Sequence, residues 1–353
     1  MSNKRKKLIL MPGAHNSPPA RFRIKQFISA FKTLDYNVKL VVPFPDRVDN
    51  FPSGYAFMNK ITNARLRQLL RVASTWWKLR SVKNGDVVVS NRDIVPELKV
   101  IWFEKKIKAK GAKLIFDFDD AIFVGPRGKK LEKIFPIADY LVAGNNYLLN
   151  YAKTQNKRST LIPTVVDTDF YTQKDFDKPN DKVIVGWSGS ASTNKVCLPI
   201  VKDAIEELSS KMDFTFLVIS NENPNLDWNV KDIQFKQWTP DTEVEGIQMI
   251  DIGLMPLNDN EFEKGKCGLK AVQYMAVGTP AIVSPVGVNE KIVSHGVDGY
   301  HVNNYAEWAE HIGTLVQDGT KRKQMGLAAR LKVEEQYSLK RAFVKWQEVL
   351  NNL

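Results

Sequence analysis

Two lysines beside a glycine-rich turn are the residues of this chain best suited to hold an anion. Lys266 lies within Gly265-Lys266-Cys267-Gly268, and Lys270 follows one helical turn later. An apolar run at 252–255 predicts a buried strand, and apolar residues at 269, 272, 275 and 276 predict a helix after the turn. The first turn of a helix offers unpaired N–H groups and a positive dipole end. We therefore predict a diphosphate site built from both ammonium groups and the backbone of Cys267, Gly268 and Leu269. An ordinary tight turn before a core helix would show the same local pattern.

A second turn of this kind follows the apolar run at 183–187. Gly189 and Ser190 end the predicted strand, and Thr193 and Lys195 lie ahead of a helix. A backbone N–H group, a hydroxyl and an ammonium can together hold a phosphate. Gly189, Ser190 and Lys195 are therefore further candidates for the same ligand.

Three carboxylates follow another predicted strand, at 113–116, in the sequence Asp117-Phe118-Asp119-Asp120. Like charges this close repel each other, so their burial without a purpose is not expected. If the strand continues, Asp117 and Asp119 point to one side and Asp120 to the other. A metal ion, an acceptor hydroxyl and a helix N-terminus are the partners that suit them.

Other polar residues follow the remaining strands of this half. Gly13 comes after the run at 8–11, Arg92 after 86–89 and Asn145 after 140–143, and in a doubly wound sheet these ends share the ligand-binding edge. Arg21 and Arg23 open the first helix, where two arginines are unfavourable without an anionic partner, unless both face solvent.

The elements that must position these residues are short strands alternating with longer helices. Continuous apolar runs, rather than alternating ones, indicate parallel sheets covered on both faces, and hence two α/β doubly wound domains in tandem. The predicted strands are 8–11, 38–42, 86–89, 113–116, 140–143, 160–162, 183–187, 214–219, 233–235, 250–255, 281–283 and 300–302.

The domain boundaries follow from composition. Residues 1–171 form the first predicted domain and 182–335 the second, while the polar segment 172–181 is the predicted hinge. The last residues, 336–353, predict a helix that packs back on the first domain.

Charge is unevenly distributed along the 353 residues. The chain has a net charge of +12, but residues 1–160 hold 31 Lys and Arg against 12 Asp and Glu, or +19, and the remainder is −7. A basic half suits a polyanionic partner, for which nucleic acid, an anionic membrane and a phosphorylated acceptor are candidates. With two cysteines no disulfide framework is indicated, which suits a reducing cytoplasm.

Residues 57–83 predict a basic amphipathic helix containing the pair Trp76-Trp77. Such a helix can lie in the headgroup layer of an anionic membrane, or it can pack its apolar side on the protein core.

Several ordered motifs together resemble family 4 retaining glycosyltransferases. They run from Arg21-Phe22-Arg23 through DFDDAIF, GNNYL and GWSGS to GKCGLKAVQYMA and SPVGVN. The chain departs from the family where two glutamates fall on Gly265 and Gln273, so Glu263 or Glu261 is the expected substitute for the first. It departs again where Gly189 replaces an arginine.

The resemblance implies a GT-B fold, in which two Rossmann-like domains face a cleft, and transfer of a sugar from a nucleotide-diphosphate donor with retention. It implies that Gln273 contacts the ribose, that Trp238 stacks on the base, and that Asp119 or Asp120 orients the acceptor hydroxyl. No protein nucleophile, metal or other cofactor is expected. The acceptor would be a glycan or lipid-linked group of a bacterial surface polysaccharide, at the inner face of the cytoplasmic membrane.

Two other functions fit parts of the sequence. A nucleotide-sugar epimerase uses the same fold and donor. A basic nucleic-acid-binding protein would account for the charge of the first half, but the chain lacks a helix-turn-helix, zinc or RNA-stacking signature, so we predict no nucleic-acid partner.

Overall fold

The structure is a computed structural model that describes residues 5–13, 17–42 and 64–353. The chain divides into two compact units. The first unit contains Met1–Thr164 and Ala342–Leu353, and the second contains Val165–Arg341.

The first unit is built on a parallel sheet with six strands among its described residues. These strands are β1 (Lys7–Met11), β2 (Asn37–Leu40), β3 (Val87–Asn91), β4 (Lys113–Phe118), β5 (Tyr140–Ala143) and β6 (Ser159–Leu161). Their order across the sheet is β2-β1-β3-β4-β5-β6. Every residue of β3 is buried, as expected for a strand covered on both faces.

Helices connect these strands. The segment after β1 begins as a π-helical turn, Ala20–Ile24, and continues through a 3₁₀ turn, Lys25–Phe27. The α-helices of this part of the chain are α1 (Ile28–Phe31), α2 (Ala64–Leu79), α3 (Trp102–Ala109), α4 (Gly128–Ile134) and α5 (Asn146–Gln155). A further 3₁₀ turn, Phe135–Ile137, follows α4.

The second unit has its own six-stranded parallel sheet. Its strands are β7 (Ile184–Ser188), β8 (Thr215–Ser220), β9 (Ile233–Gln237), β10 (Ile252–Met255), β11 (Ala281–Val283) and β12 (Gly299–His301). Their order is β9-β8-β7-β10-β11-β12, so the chain moves outward from β7 and then returns to its other side. All twelve strands overlap the runs predicted from the sequence, and the predicted doubly wound α/β class is confirmed.

The helices of the second unit flank this sheet. They are α6 (Ala191–Cys197), α7 (Lys202–Lys211), α8 (Glu243–Gln248), α9 (Glu261–Lys264), α10 (Leu269–Ala276), α11 (Asn289–Ile292), α12 (Tyr305–Gln317) and α13 (Gly319–Gln336), with a 3₁₀ turn at Leu198–Ile200. None of the helices in the described ranges is long and apolar enough to cross a membrane.

The predicted hinge residues belong to the second unit and are tied to it by side chains. Lys174 pairs with Asp251 at 2.9 Å, and the Asn180 amide donates to the same carboxylate at 2.8 Å. The use of 172–181 as a hinge stays a prediction.

The C-terminal helix, α14 (Leu339–Asn351), lies mostly in the first unit. The ring of Trp346 lies 6.4 Å from that of Phe27 and 5.7 Å from that of Phe31, both edge-on. Aromatic packing therefore joins this helix to the segment after β1.

Candidate functional site

The second sheet reverses its strand order between β7 and β10, which are hydrogen-bonded neighbours. In open α/β sheets, ligands bind beyond the carboxyl ends of the two strands at such a point. The two loops that leave these ends contain Gly189-Ser190 and 256–268. The predicted diphosphate-binding residues therefore meet at the place where this topology puts a ligand.

The loop after β7 is fixed by the Trp187 indole. This buried ring donates its Nε1–H to Asn194 Oδ1 at 2.7 Å. A Cβ atom on Gly189 would lie 2.6 Å from the ring, so only glycine lets the backbone pass here. Ser190 then caps α6 by accepting from the Thr193 N–H, and Lys195 lies exposed on that helix.

The loop after β10 carries the charged pair Glu263 and Lys266. The Glu263 side chain is buried, and its Oε2 lies 3.6 Å from the Lys266 ammonium, with no hydrogen-bond partner for that oxygen in the described residues. Asn260 starts the short helix α9 by accepting from the N–H groups of Phe262 and Glu263. The sequence therefore folds this loop into a turn that holds a carboxylate against an ammonium.

Gly268 makes the junction between this loop and α10 possible. Its φ of 64° is left-handed, and an added Cβ would lie 2.1 Å from Ile292 Cδ1. No side chain caps α10 at this residue, so the N–H groups of its first turn, starting at Leu269, lack a capping side chain. Cys267, just before, is buried, with its Sγ 4.0 Å from the Gly265 carbonyl oxygen.

Two contacts join α10 to the end of β7. The Lys270 ammonium lies 5.0 Å above the Trp187 ring, and the buried Tyr274 hydroxyl accepts from the Ser188 N–H at 2.8 Å. Burial raises the pKa of Tyr274, which keeps the hydroxyl neutral. This role of Tyr274 could not be predicted from the sequence, because its partner is 86 residues away.

Charges of the loop after β10 and of α10 act on Cys197 at the end of α6. Burial raises the pKa of its thiol, and three neighbouring charges act on the same group. Lys270 and Lys266 lower this pKa, while Glu263 raises it. Both lysines predicted for a diphosphate therefore act on this one thiol.

A buried hydrogen-bond chain holds two further predicted residues. Gln273 donates to the Tyr171 hydroxyl at 2.8 Å, and that hydroxyl donates to Glu243 at 2.7 Å. The other oxygen of Glu243 accepts from the Trp238 indole at 3.0 Å. Tyr171 and Glu243 were missed from the sequence, because 72 residues separate them and neither lies in a recognisable motif.

The first sheet reverses its order between β1 and β3. Gly13, after β1, lies beside the end of β3, since its Cβ would be 3.3 Å from the Asn91 carbonyl oxygen. The Gly13 carbonyl itself accepts from Arg71 at 2.7 Å. Thus Gly13 lies at the predicted edge, but its carbonyl already has a partner.

Arg92 joins the acidic residues that follow β4. Its guanidinium lies 3.0 Å from Asp119 Oδ1 and also contacts Asp120. The condition for strand alternation is not met, because β4 ends at Phe118, and both carboxylates contact the same arginine. Arg92 has a φ of 64°, which is unfavourable for a non-glycine residue, and the Ser90 hydroxyl donates to its carbonyl at 2.7 Å.

Two predicted acceptor-binding residues are instead part of the interior of the first unit. Arg23 is 2% exposed and forms a two-pronged ion pair with Asp117, which is fully buried. Asn145 is also buried, and its side chain caps α5 by accepting from the Leu148 N–H. Both side chains are buried and hydrogen-bonded to neighbours, and their direct contact with an acceptor stays a prediction.

The neighbouring Arg21 is half-buried, with its guanidinium carbon 5.0 Å from the centre of the Phe22 ring.

Of the predicted amphipathic helix 57–83, residues 57–63 lie outside the described residues, and α2 covers the central part.

Residues 182–318 match the family model described as Glycosyl transferases group 1. A D-inositol 3-phosphate glycosyltransferase from Pseudarthrobacter chlorophenolicus is 33% identical over 89 residues, which make up 24% of this chain and 19% of that protein. The match spans about a fifth of the length of the curated relatives.

Solved structures resemble nearly the whole chain. Sucrose-phosphate synthase from Thermosynechococcus elongatus superposes with a TM-score of 0.70 at 13% identity, covering 98% of both chains. Anabaena HepE in complex with UDP-glucose gives a TM-score of 0.67 at 14% identity, over 98% of this chain and 100% of that one. The chain is thus similar to group 1 glycosyltransferases over 182–318, and its fold is of the GT-B type, with two Rossmann-like doubly wound domains.

Proposed function

We propose that this protein is a glycosyltransferase that moves a sugar from a nucleoside-diphosphate donor to an acceptor hydroxyl with retention of configuration. The observation that carries the proposal is the meeting of two loops at the switch point of the second sheet. There Lys266, Lys270 and the first turn of α10 collect positive charge. The family model matched by 182–318 and the GT-B fold support the same reaction.

Positive charge at the switch point of the second sheet suits the step in which the bond between sugar and diphosphate breaks. When the bond between sugar and diphosphate breaks, negative charge grows on the leaving oxygens, and fixed cations and N–H groups stabilise it. The sugar meanwhile passes through an oxocarbenium-like state. Lys266 and Lys270 supply the cations, while Ser190 and Lys195 bind from the loop after β7.

Glu263 positions the Lys266 ammonium through their 3.6 Å ion pair. Its carboxylate lies two residues before Gly265, where the family has a glutamate that contacts the sugar. We propose that Glu263 takes over that contact, because a buried carboxylate oxygen that accepts no hydrogen bond gains from a hydroxyl donor.

The buried chain from Gln273 to Trp238 forms the nucleoside end of the site. Tyr171 and Glu243 fix the orientation of both side chains, so the Trp238 ring is held ready to stack on a base. Gln273 binds the ribose, and its bond to Tyr171 positions its amide.

The acceptor site belongs to the first unit in this proposal. Asp119 or Asp120 accepts a hydrogen bond from the acceptor hydroxyl, while Arg92 holds both carboxylates in place. The departing phosphate takes the proton, and no metal is needed. The acceptor is a glycan or lipid-linked group used in bacterial surface polysaccharide synthesis.

A thermal-shift panel of UDP, GDP and their sugars tests the donor site. A ligand at 100 times its Kd stabilises the folded state by about 2.7 kcal/mol, which raises the melting temperature by several degrees. Lys266→Ala is expected to abolish this shift. Lys264→Ala is the matched control, because that lysine lies on α9 and pairs with the exposed Glu261 and Asp259. Equal shifts in both variants would remove Lys266 from the site.

Transfer itself is separated from epimerisation by leaving out the acceptor. A transferase releases nucleoside diphosphate slowly without acceptor and returns the donor sugar unchanged, as followed by NMR. Conversion of the donor to its epimer without acceptor would refute the proposal.

A further inference from the structure

The amphipathic helix α2 turns its apolar side outward. At about 100° per residue, Leu69, Ala73, Trp76 and Trp77 share an arc of about 100°. Leu69 is 65% exposed, Trp77 67% and Trp76 40%. This arrangement is the reverse of a surface helix that packs its apolar side on the core.

Polar contacts hold the helix in this orientation. Arg71, which faces inward and is buried, donates to the Gly13 carbonyl at 2.7 Å and pairs with Glu97 at 3.3 Å. At the end of the helix, the Lys110 ammonium donates to the carbonyl oxygens of Leu79, Arg80 and Val82. The helix is therefore attached through charged side chains, and its apolar face is left at the surface.

A second element extends the same face. Val100 is 61% exposed and Trp102, at the start of α3, is 45% exposed. The Lys106 ammonium lies 5.1 Å from the centre of the Trp76 ring and 4.5 Å from that of Trp102, so the two elements are adjacent. We call the combined set the Trp surface, formed by Leu69, Ala73, Trp76, Trp77, Val100 and Trp102.

Only positive charge borders this surface within its two helices. The sequence of α2 contains no acidic residue, and the one acidic residue of α3, Glu104, is buried. The guanidinium of Arg80 lies 5.2 Å from the Trp76 ring. Basic residues of these two helices, of the residue after α2 and of the segment before α3 are exposed, at positions 65, 80, 99 and 105.

We infer that the Trp surface docks the protein on an anionic phospholipid bilayer. Indole rings favour the headgroup layer, where their apolar body and polar N–H group are both satisfied. Basic residues beside them bind the lipid phosphates. A second copy of the chain fits less well, because a two-fold contact would press the same basic border against itself. The surface shares no residue with the donor site, so the two proposals fail or succeed separately.

Vesicle sedimentation tests the inference with the whole chain. The protein is expected to sediment with vesicles of phosphatidylcholine and phosphatidylglycerol, and to stay in solution with phosphatidylcholine alone. Trp77→Ala combined with Trp102→Ala is expected to weaken binding by at least about tenfold, because membrane affinity scales with buried apolar area. Lys99→Gln with Lys105→Gln is expected to weaken it by about 25-fold, at roughly fivefold per basic residue.

The matched control is Leu331→Ser, which changes a residue 55% exposed on α13 of the second unit and is expected to leave binding intact. Quenching of tryptophan fluorescence by brominated lipid gives a readout on the unaltered protein. Absence of sedimentation with anionic vesicles would overturn the inference, as would equal binding to both vesicle types. A dimer that Trp77→Ala dissociates, without vesicle binding, would assign the surface to a second copy instead.

Discussion

Removing Arg23 is expected to destabilise the first unit strongly, although the sequence suggests a surface role for this residue. The Arg23 guanidinium forms two bonds to Asp117 and donates to the Ile162 carbonyl at 2.6 Å. Within the described residues, the Asn91 amide also donates to this carboxylate, at 2.8 Å. Arg23→Ala therefore leaves a buried carboxylate with one amide partner, and breaking such a pair costs about 3–5 kcal/mol.

The loss of stability expected for Arg23→Ala depends on pH in a defined direction. Burial raises the pKa of Asp117 above its ordinary value, and Arg23 opposes that rise. In Arg23→Ala the folded state therefore holds the Asp117 proton more tightly than in the unaltered protein. A raised folded pKa gives stability that is present at low pH and is lost as pH rises through that pKa. The destabilisation should accordingly be smaller at low pH and grow as the pH rises.

Hydrogen exchange of the β4 amides, read by mass spectrometry, measures this effect, because it reports the opening of one sheet. A loss of 3–5 kcal/mol at 1.36 kcal/mol per tenfold lowers protection by about two to nearly four powers of ten. Arg21→Ala is the matched control, since that arginine lies in the same helical turn but is half-buried. In Arg21→Ala the free energy of opening should change by less than about 1 kcal/mol.

Adding Asp117→Asn to Arg23→Ala is expected to restore part of the lost protection, because the neutral amide removes the unpaired charge. The reasoning is refuted if Arg23→Ala lowers protection no more than Arg21→Ala, or if the second substitution makes the protein less stable still.

Two further outcomes follow from the donor site and one from the acidic residues of the first unit. Lys266→Ala should lower turnover at saturating donor by about 100-fold, while Lys264→Ala should not. Unchanged nucleotide release by Lys266→Ala would show that Lys266 does not stabilise the charge of the leaving diphosphate. Gly268→Ala should lower the melting temperature of the second unit by several degrees. The φ of 64° and the 2.1 Å approach to Ile292 leave no room for a methyl group. An unchanged melting temperature would contradict this. Full transfer activity in excess EDTA is expected, and its loss, restored by a divalent ion, would show that Asp119 or Asp120 binds metal.

Local pattern was sufficient to predict most of the fold. Most of the strands are short, buried and apolar, so the twelve strands of the described residues could be found without knowledge of their neighbours, although β2 and β9 are largely unburied. The loops after β7 and β10 could be found as well, because glycine next to lysine at a strand–helix junction needs no distant residue to be recognised. Their meeting at one switch point follows from strand order, which the sequence alone leaves open.

Partners distant in sequence were decided by the tertiary structure. Arg23 and Asp117 are 94 residues apart, and Gln273 and Tyr171 are 102 apart, so no spacing rule connects them. The tertiary structure also decided which side of α2 is exposed. Helical periodicity determines which residues share a face, but contacts of Arg71 with Gly13 and Glu97 decide which face turns inward. Burial and ion pairing depend on what surrounds a side chain in space, and that is set only when the chain has folded.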